Sequence, residues 1–312
     1  MDLRQIQYFL CLYEEGSVTR AARRLNIVQP ALSTQLAKLE QELGDKLFDR
    51  SPKGIIPTPA GQLLHRLYKP IVRDFAEAYE QMVNRTGIVS GRVAIGVIPS
   101  LTASTLDISL ARFTSQHADV EVSVVEGYST TLTEWLRSGA VDVIIVNKMP
   151  GLQDLEVEHL LDEDLMLVAP QSGHRPSGPV RFKDAAAMQL VIPPRPQGLR
   201  NVIDVAAETA GIKLVPRIEI DALYTIQAFL KRTTGYVSML PPLAILPSLR
   251  DGTLHVQPIF GPRITRQIVC ARSPGRPFSL AARKLIDMIA ADLREAGIGP
   301  QPAAQPHAHL SN

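Results

Sequence analysis

The chain has 312 residues, of which 45% are hydrophobic and 21% charged, and its formal net charge is +2, which is ordinary for a soluble globular protein of two or three domains. No run of about 20 apolar residues is present, which excludes a membrane span, and the mixed N-terminal sequence does not match a signal peptide, so we expect a cytoplasmic protein. The two cysteines, Cys11 and Cys270, form no C-x-x-C pair, and we expect neither a metal site nor a cofactor.

Two short amphipathic helices are predicted at the start of the chain. Gly16 ends the first, because glycine adopts a positive φ without strain, and Ser17 is placed to cap the second. Their apolar positions recur at three and four residues, the spacing of one helix face: Leu3, Ile6, Phe9, Leu10 and Tyr13, then Val18, Ala21, Ala22 and Leu25.

A third helix follows the turn Asn26–Val28, and Pro30 suits its first turn, where the missing N–H is no loss. We expect its leucines to be buried: Leu32, Leu36, Leu39 and Leu43. The opposite side is polar, and its N-terminal end has the side chains of a recognition helix in the major groove of DNA. The predicted DNA-binding residues on this helix are Gln29, Pro30, Ser33, Thr34 and, nearer a phosphate, Lys38.

A basic hairpin comes next. Two short extended segments, Lys46–Asp49 and Gly54–Pro57, flank the turn Arg50-Ser51-Pro52-Lys53. Arg50 and Lys53 are predicted to contact a phosphate or the adjacent minor groove, as a wing does. Each piece alone is also typical of an ordinary core helix or a solvated loop; together, in this order, they favour a winged helix-turn-helix over residues 1–58.

This segment resembles the winged helix-turn-helix of LysR-type transcriptional regulators. The resemblance implies binding to promoter DNA, homodimers that assemble into homotetramers, and RNA polymerase as a further partner. Two positions depart from the family pattern: Val28 stands where a capping Ser is common, and Thr34 where Arg is frequent. The shared residues are Phe9, Gly16, Ser17, Ala21, Ala22, Leu25, Gln29, Pro30, Ala31, Leu32, Ser33, Leu39, Glu40, Leu43, Gly44, Leu47, Phe48, Arg50, Thr58, Ala60 and Gly61.

A long helix is predicted from Pro59 to about Arg85, with Pro70 expected to kink it. Its apolar stripe has a spacing near 3.5, which favours pairing with a second copy of the same helix over packing within one domain. The stripe comprises Leu64, Leu67, Ile71, Phe75, Ala78 and Met82. Residues 59–90 are therefore assigned to a linker and dimerisation helix with a hinge.

Residues 91–299 alternate between predicted strands and helices, which favours an α/β domain with mostly parallel strands. The segments 136–146, 160–174 and 233–241 resemble the LysR effector-binding domain, which is similar to two-lobed periplasmic solute-binding proteins. The resemblance implies a lobe I of about 92–162 and 269–297 and a lobe II of about 163–268. Residues 300–312, which include His307 and His309, are rich in Pro and Ala and are expected to be a disordered tail.

The cleft between the lobes is the predicted effector site. Four hydroxyl residues, Ser100, Thr102, Ser129 and Thr130, follow strands at the starts of helices, where an anion is favoured, although each is also an ordinary helix cap. Asn147 precedes a crossing between the lobes, and Arg195 lies in a proline-rich loop where it could pair with a carboxylate.

Three functions remain at this point: a ligand-responsive regulator, a solute-binding accessory protein, and an α/β enzyme. The missing signal peptide and the DNA-binding segment argue against the second. No catalytic or nucleotide-binding motif such as G-x-S-x-G or a Walker A sequence occurs, so we expect no enzyme. The sequence favours a LysR-type regulator that binds double-stranded DNA and a small, anionic organic effector.

Overall fold

The computed structural model describes residues 1–51, 54–83, 89–171, 178–195, 197–276 and 278–296. It forms two compact units, the first centred on residues 1–83 and the second on residues 89–296. The predicted tail, including His307 and His309, lies outside the described residues, as does Lys53. None of the described helices is long and apolar enough to cross a membrane.

The first unit is a three-helix domain with a two-stranded hairpin and a long fourth helix. Its elements are α1 (Leu3–Glu15), α2 (Val18–Arg24), α3 (Gln29–Leu43), β1 (Phe48–Ser51), β2 (Gly54–Pro57) and α4 (Pro59–Val83). Gly16 ends α1 at φ 59°, and the Ser17 side chain accepts a hydrogen bond from the backbone N–H of Arg20, so both predicted caps are confirmed. A capping box formed by Asp2 and Gln5 begins α1.

The core of this unit packs α1, α2 and α3 around fully buried side chains, among them Phe9, Leu32 and Leu39. The prediction for α3 was wrong at its C-terminal end: Leu43 is 41% exposed, and Leu36 is only half-buried. Leu43 is the last residue of α3, directly before the C-cap Gly44, and Leu32 and Leu39 are the residues of this helix that are fully buried.

The helix α4 continues across Pro70, and its apolar side chains divide into two sets. Leu64, which we had assigned to the dimerisation stripe, is buried in the core of the first unit. The exposed stripe begins at Leu63 and not at the predicted Leu64. Its members are spaced four residues apart as far as Tyr79 and three residues apart at the last step. It comprises Leu63, Leu67, Ile71, Phe75, Tyr79 and Met82, which are 46–70% exposed.

The second unit contains two lobes, each built on one sheet. Lobe I contains β3 (Gly91–Val97), α5 (Pro99–Thr102), α6 (Leu106–Gln116), β4 (Val120–Glu126), α7 (Ser129–Arg137), β5 (Val143–Asn147), β6 (Glu156–Asp164) and, near the end of the chain, β13 (Thr265–Arg272) and α12 (Leu280–Glu295). The strand order in its sheet is β4-β3-β5-β13-β6. The helical segment after β3 is divided into the short α5 and the longer α6.

Lobe II is inserted between β6 and β13. It contains β7 (Met166–Pro170), β8 (Val180–Arg181), α8 (Phe182–Ala186), β9 (Gln189–Ile192), α9 (Gly198–Thr209), β10 (Ile218–Glu219), α10 (Leu223–Arg232), β11 (Tyr236–Leu240), a 3₁₀ turn (Pro242–Ile245), α11 (Leu246–Arg250) and β12 (Leu254–Phe260). Its sheet order is β10-β9-β11-β7-β12-β8.

Both sheets are mixed, whereas mostly parallel strands were predicted. In lobe I, β3 pairs in parallel with β4 and β5, but β13 is antiparallel to both β5 and β6. In lobe II, β7 is antiparallel to β11 and β12. In lobe I the double crossing explains the antiparallel pairing of β6 with β13, because β6 leads the chain out of this lobe and β13 leads it back. Separate hydrophobic clusters fill the lobes.

Candidate nucleic-acid interface and ligand cleft

The polar face of α3 lies open to solvent. Its predicted DNA-contacting residues are all exposed, namely Gln29, Pro30, Ser33, Thr34 and Lys38. On the other side of the same helix, Leu32 and Leu39 are fully buried. The helix therefore has its apolar side in the core and its polar side exposed.

The N-terminal end of α3 lacks a side-chain cap. Val28 occupies the N-cap position in extended conformation and has no side-chain hydrogen bond to the helix. The Gln29 side chain bonds α2 instead, where its Nε2 donates to the Thr19 hydroxyl over 3.0 Å. Pro30 removes one of the N–H groups that would need a partner.

One predicted base-contacting hydroxyl is engaged within the helix. Thr34 Oγ1 donates to the carbonyl oxygen of Pro30 over 2.8 Å. In this rotamer the hydroxyl presents only its acceptor lone pairs outward. The preceding turn is held by Asn26, which adopts φ 54°, a conformation that asparagine tolerates better than most residues.

The hairpin β1–β2 is present where a wing was predicted, but β1 extends from Phe48 to Ser51, so Arg50 and Ser51 lie in the strand and not in the predicted turn. Arg50 pairs with Ile55 in its antiparallel register, while the side chain of Arg50 is outside the described part of the structure. Gly54 begins β2 at φ 125°, and a Cβ there would lie 2.8 Å from the Gly16 carbonyl oxygen. Glycine is therefore required at position 54, because the hairpin approaches the end of α1 closely at this point.

Several residues meet at one pocket between the two lobes of the second unit. Three predicted effector residues, Ser100, Ser129 and Asn147, line it together. Their neighbours in the lining that the sequence did not indicate include Tyr128, Gln197 and Arg266. The cavity measures about 20 Å³ in this conformation, enough for about one water molecule.

The pocket is surrounded by helix N-termini from both lobes. Ser129 begins α7 of lobe I, Gly198 begins α9 of lobe II, and Leu223 begins α10 of lobe II. The N-cap residues of α9 and α10, Gln197 and Ala222, make no side-chain cap hydrogen bond, so the first N–H groups of these helices are not satisfied by a cap.

A buried hydroxyl faces the same space. Ser100 is 2% exposed and its Oγ has no hydrogen-bond partner among the residues that the structure describes. An unsatisfied buried hydroxyl costs about 1–3 kcal/mol relative to a bonded one. The neighbouring Ser129 Oγ, in contrast, accepts from the backbone N–H of Asn147 over 3.3 Å.

One residue of the pocket lining, Arg266, belongs to a buried ion pair. Arg266 and Glu163 are each 2% exposed, and Arg266 Nε and Nη2 donate to Glu163 Oε2 over 2.9 and 2.6 Å. The other carboxylate oxygen of Glu163 accepts from the backbone N–H of Leu243 over 2.7 Å, and Arg266 Nη1 donates to Asn147 Oδ1 over 3.2 Å. The network links the two crossing strands, β6 and β13, to both lobes.

A hydrogen bond joins the lobes at the rim. The Tyr128 hydroxyl of lobe I donates to the Asp221 carboxylate of lobe II over 2.5 Å. Burial, together with this hydrogen bond and the nearby negative charge, raises the pKa of Tyr128 above its usual value. The tyrosine is therefore a neutral donor at physiological pH.

Three predicted effector residues do not line the pocket. Thr102 donates to the Pro99 carbonyl over 2.9 Å and also bonds Glu126, and Thr130 is exposed, one residue or about 100° round α7 from Ser129. Arg195, 69% exposed, donates instead to Asp204 over 2.6 Å.

Asp204 receives a second hydrogen bond on its other oxygen, because Arg200 Nε donates to it over 3.0 Å. Burial would raise the pKa of Asp204, but the hydrogen bonds from Arg195 and Arg200 outweigh burial and lower it. This cluster joins α9 to the loop before it, which also contains Gln197.

Within the described ranges, no group of three or more His, Cys, Asp or Glu residues is placed to hold a metal ion.

A winged helix-turn-helix followed by a two-lobed domain with a pocket between its lobes defines a class of protein, the ligand-responsive DNA-binding regulator.

The comparisons place the chain within this class. Residues 3–62 match the family model for the bacterial regulatory helix-turn-helix protein, lysR family, and residues 87–294 match that for the LysR substrate binding domain. The chain therefore belongs to the LysR family of bacterial transcriptional regulators. It is a DNA-binding regulator with an effector-binding domain, and members of this family are regulators rather than enzymes.

Relatives and solved structures agree with this assignment. The nitrogen assimilation regulatory protein nac of Escherichia coli is 30% identical over 78% of this chain and 79% of that protein. The hydrogen peroxide-inducible genes activator of Haemophilus influenzae is 27% identical over 89% of this chain and 92% of its own.

Two solved structures share the fold. A full-length variant of OxyR from Pseudomonas aeruginosa has a TM-score of 0.74 at 22% identity and covers 98% of this chain and 99% of its own. Full-length CbnR complexed with its target DNA has a TM-score of 0.66 at 20% identity, covering 95% of this chain and 100% of its own.

Proposed function

We propose that this regulator binds promoter DNA through the exposed face of α3 and the β1–β2 wing, and responds to a small organic anion held between the lobes of its second unit. The observation that carries the effector class is the set of helix N-termini around one pocket, with the unpartnered hydroxyl of Ser100 among them.

The attraction for an anion comes from backbone dipoles rather than from a free cation. Arg266 is already neutralised by Glu163, so its charge does not favour either sign of ligand. The positive ends of α7, α9 and α10 remain, and each favours negative charge close to its first N–H groups. A carboxylate between them would accept from those groups and from Ser100.

The cavity of about 20 Å³ is too small for an organic acid of several carbon atoms, so the lobes must part before one can enter. The Tyr128–Asp221 hydrogen bond across the rim would then be broken or rearranged. Ligand binding and lobe separation are coupled in this proposal, since a ligand shifts an equilibrium only by binding one arrangement more tightly.

Thermal denaturation of the full-length protein tests the effector proposal. Small mono- and dicarboxylates should raise the melting temperature, because a ligand stabilises the state that it binds, and the corresponding neutral amides should not. Ser100→Ala should reduce the shift, whereas Ser115→Ala, which removes an exposed hydroxyl on α6, should preserve it. Equal shifts from acids and amides would contradict an anion site.

We propose that α4 pairs two copies of the chain through its exposed apolar stripe, and that such homodimers assemble into homotetramers. Six large apolar side chains in one exposed row favour a helical partner with the same pattern. Phe75→Glu, which places a charge in the row, should shift the size-exclusion peak to a smaller species. Arg66→Glu, on the same helix outside the row, serves as the control.

Binding measurements with upstream DNA test the α3 assignment. Ser33→Ala and Gln29→Ala should weaken specific binding more than non-specific binding, because they remove base contacts. Arg50→Ala or Lys53→Ala should weaken both and lower the dependence on salt, because they remove phosphate contacts. Unchanged sequence preference in the first two variants would contradict the assigned face.

We also propose that the protein acts in the cytoplasm, where RNA polymerase is a further partner at the same promoters.

Peroxide response, which the name of one relative describes, has less support here. Burial raises the pKa of Cys11, and it raises that of Cys270 to about 12. Both thiols are buried, one in α1 and the other in β13, so neither has the exposed thiolate that fast oxidation requires.

A further inference from the structure

We propose that Val28 reads the 5-methyl group of a thymine in the operator, so that the recognition site of this regulator includes an A·T pair fixed by an apolar contact. The inference rests on the proposed function, since it requires the N-terminal end of α3 to lie in the major groove.

Val28 is among the most exposed large apolar side chains of the described structure, at 69%. It is the residue immediately before α3, in extended conformation with φ −80° and ψ 144°. Its neighbours Gln29 and Pro30 are exposed as well. The N-terminal end of a recognition helix is the part that meets base edges, so this valine lies at the reading end of the helix.

The free protein gains nothing from a valine at this position. A Ser, Thr, Asp or Asn at the N-cap would satisfy one of the first N–H groups of α3, and Val28 satisfies none. Its side chain also keeps most of its apolar surface in water. Both features are unfavourable in isolation, and both are explained if a bound duplex covers the side chain.

The chemistry of the major groove then identifies the base. Every base edge there carries hydrogen-bonding groups, and thymine alone adds a methyl group that an apolar side chain can cover. The adjacent Gln29 amide is oriented by its hydrogen bond to Thr19, so it is held beside Val28. A glutamine amide pairs with adenine, the partner of thymine, which makes the two neighbouring side chains consistent with one A·T pair.

The test removes the methyl group from the DNA instead of only altering the protein. Duplexes are first selected from a random library by the full-length protein, and each thymine of the selected site is then replaced by deoxyuridine, one at a time. Dissociation constants are measured by fluorescence anisotropy for the wild type, V28A, V28I and V205A. Val205, 52% exposed on α9, is the matched control for loss of an exposed valine.

One thymine in each half-site should be sensitive: its replacement by deoxyuridine weakens binding by the wild type about fourfold, the value of one buried methyl group. V205A and V28I should retain this sensitivity, and V28A should lose it at that position only. A melting temperature for each variant shows that it is folded.

The alternatives give different results. If no deoxyuridine position is sensitive, or if V28A remains as sensitive as the wild type, the inference is wrong although DNA binding stands. If V28A instead changes the size-exclusion peak, the side chain lies at a protein interface, which also overturns the inference. If the library yields no enriched sequence, the proposed α3 function itself fails.

Discussion

The buried pair of Arg266 and Glu163 leads to a quantitative prediction about the stability of the second unit. In Glu163→Gln, the amide still accepts from the backbone N–H of Leu243, but its NH₂ group replaces the oxygen to which Arg266 donates twice. The guanidinium is then left 2% exposed with Asn147 as its remaining partner in the network.

Removing one member of a buried ion pair costs about 3–5 kcal/mol, because the other charge stays buried without compensation. We therefore expect Glu163→Gln to lower the free energy of unfolding by this amount. The double variant Glu163→Gln/Arg266→Gln contains neither charge, so it should be more stable than Glu163→Gln by about 2 kcal/mol or more.

Urea unfolding followed by the fluorescence of Trp135 measures this effect locally. Trp135 is the one tryptophan of the sequence and packs against the core of lobe I, so it reports on the unit that contains the pair. The control is Asp164→Asn, which removes the more exposed ion pair between Asp164 and Arg263 and should cost less than about 1 kcal/mol. A loss below about 1 kcal/mol in Glu163→Gln, or a double variant as unstable as the sum of the two single variants, would refute the reasoning.

Three further predictions concern other parts of the chain. Val28→Ser supplies the missing cap of α3 and should stabilise the first unit by about 1 kcal/mol, measured by thermal unfolding; a loss of stability would contradict the uncapped geometry. Asp204 has a lowered pKa in the folded state, so its contribution is present at neutral pH and is lost as the pH falls through that folded value; Asp204→Asn should therefore differ most from the wild type near pH 7, and the gap in urea midpoints should shrink below about pH 4. Cys11 and Cys270, both buried, should react slowly with a thiol reagent until the protein is unfolded, and a fast reaction of either in the native protein would contradict their burial.

The local features of the DNA-binding unit could be read from the sequence because they depend on neighbouring residues. Gly16 ends α1 because glycine adopts a positive φ without strain, and Ser17 begins α2 because its hydroxyl accepts from a backbone N–H of the first turn. The exposure of Leu43 could not be read in this way, since helical spacing tells which residues share a face but not where the neighbouring helices end.

Three of the six predicted effector residues line the pocket and three do not, because its lining also depends on residues that are distant in the sequence. Ser100 and Ser129 follow strands of lobe I and Asn147 is the last residue of β5, all at strand ends, a position with a general tendency to bind ligands. Arg266 is separated by more than 100 residues from its partners Glu163 and Asn147, and only the crossing of β6 and β13 brings them together. Arg195 looked suitable by its loop position, but Asp204, one helix further on, engages it.

The exposed row on α4 has a consequence for genetics. If two chains associate through that row, a copy with a damaged α3 surface and an intact α4 still recruits normal copies into mixed assemblies. In such a mixed dimer the damaged subunit does not bind its DNA half-site, so the damaged allele should be dominant over the normal one. Adding Phe75→Glu to the damaged copy should make it recessive, since it can no longer be incorporated.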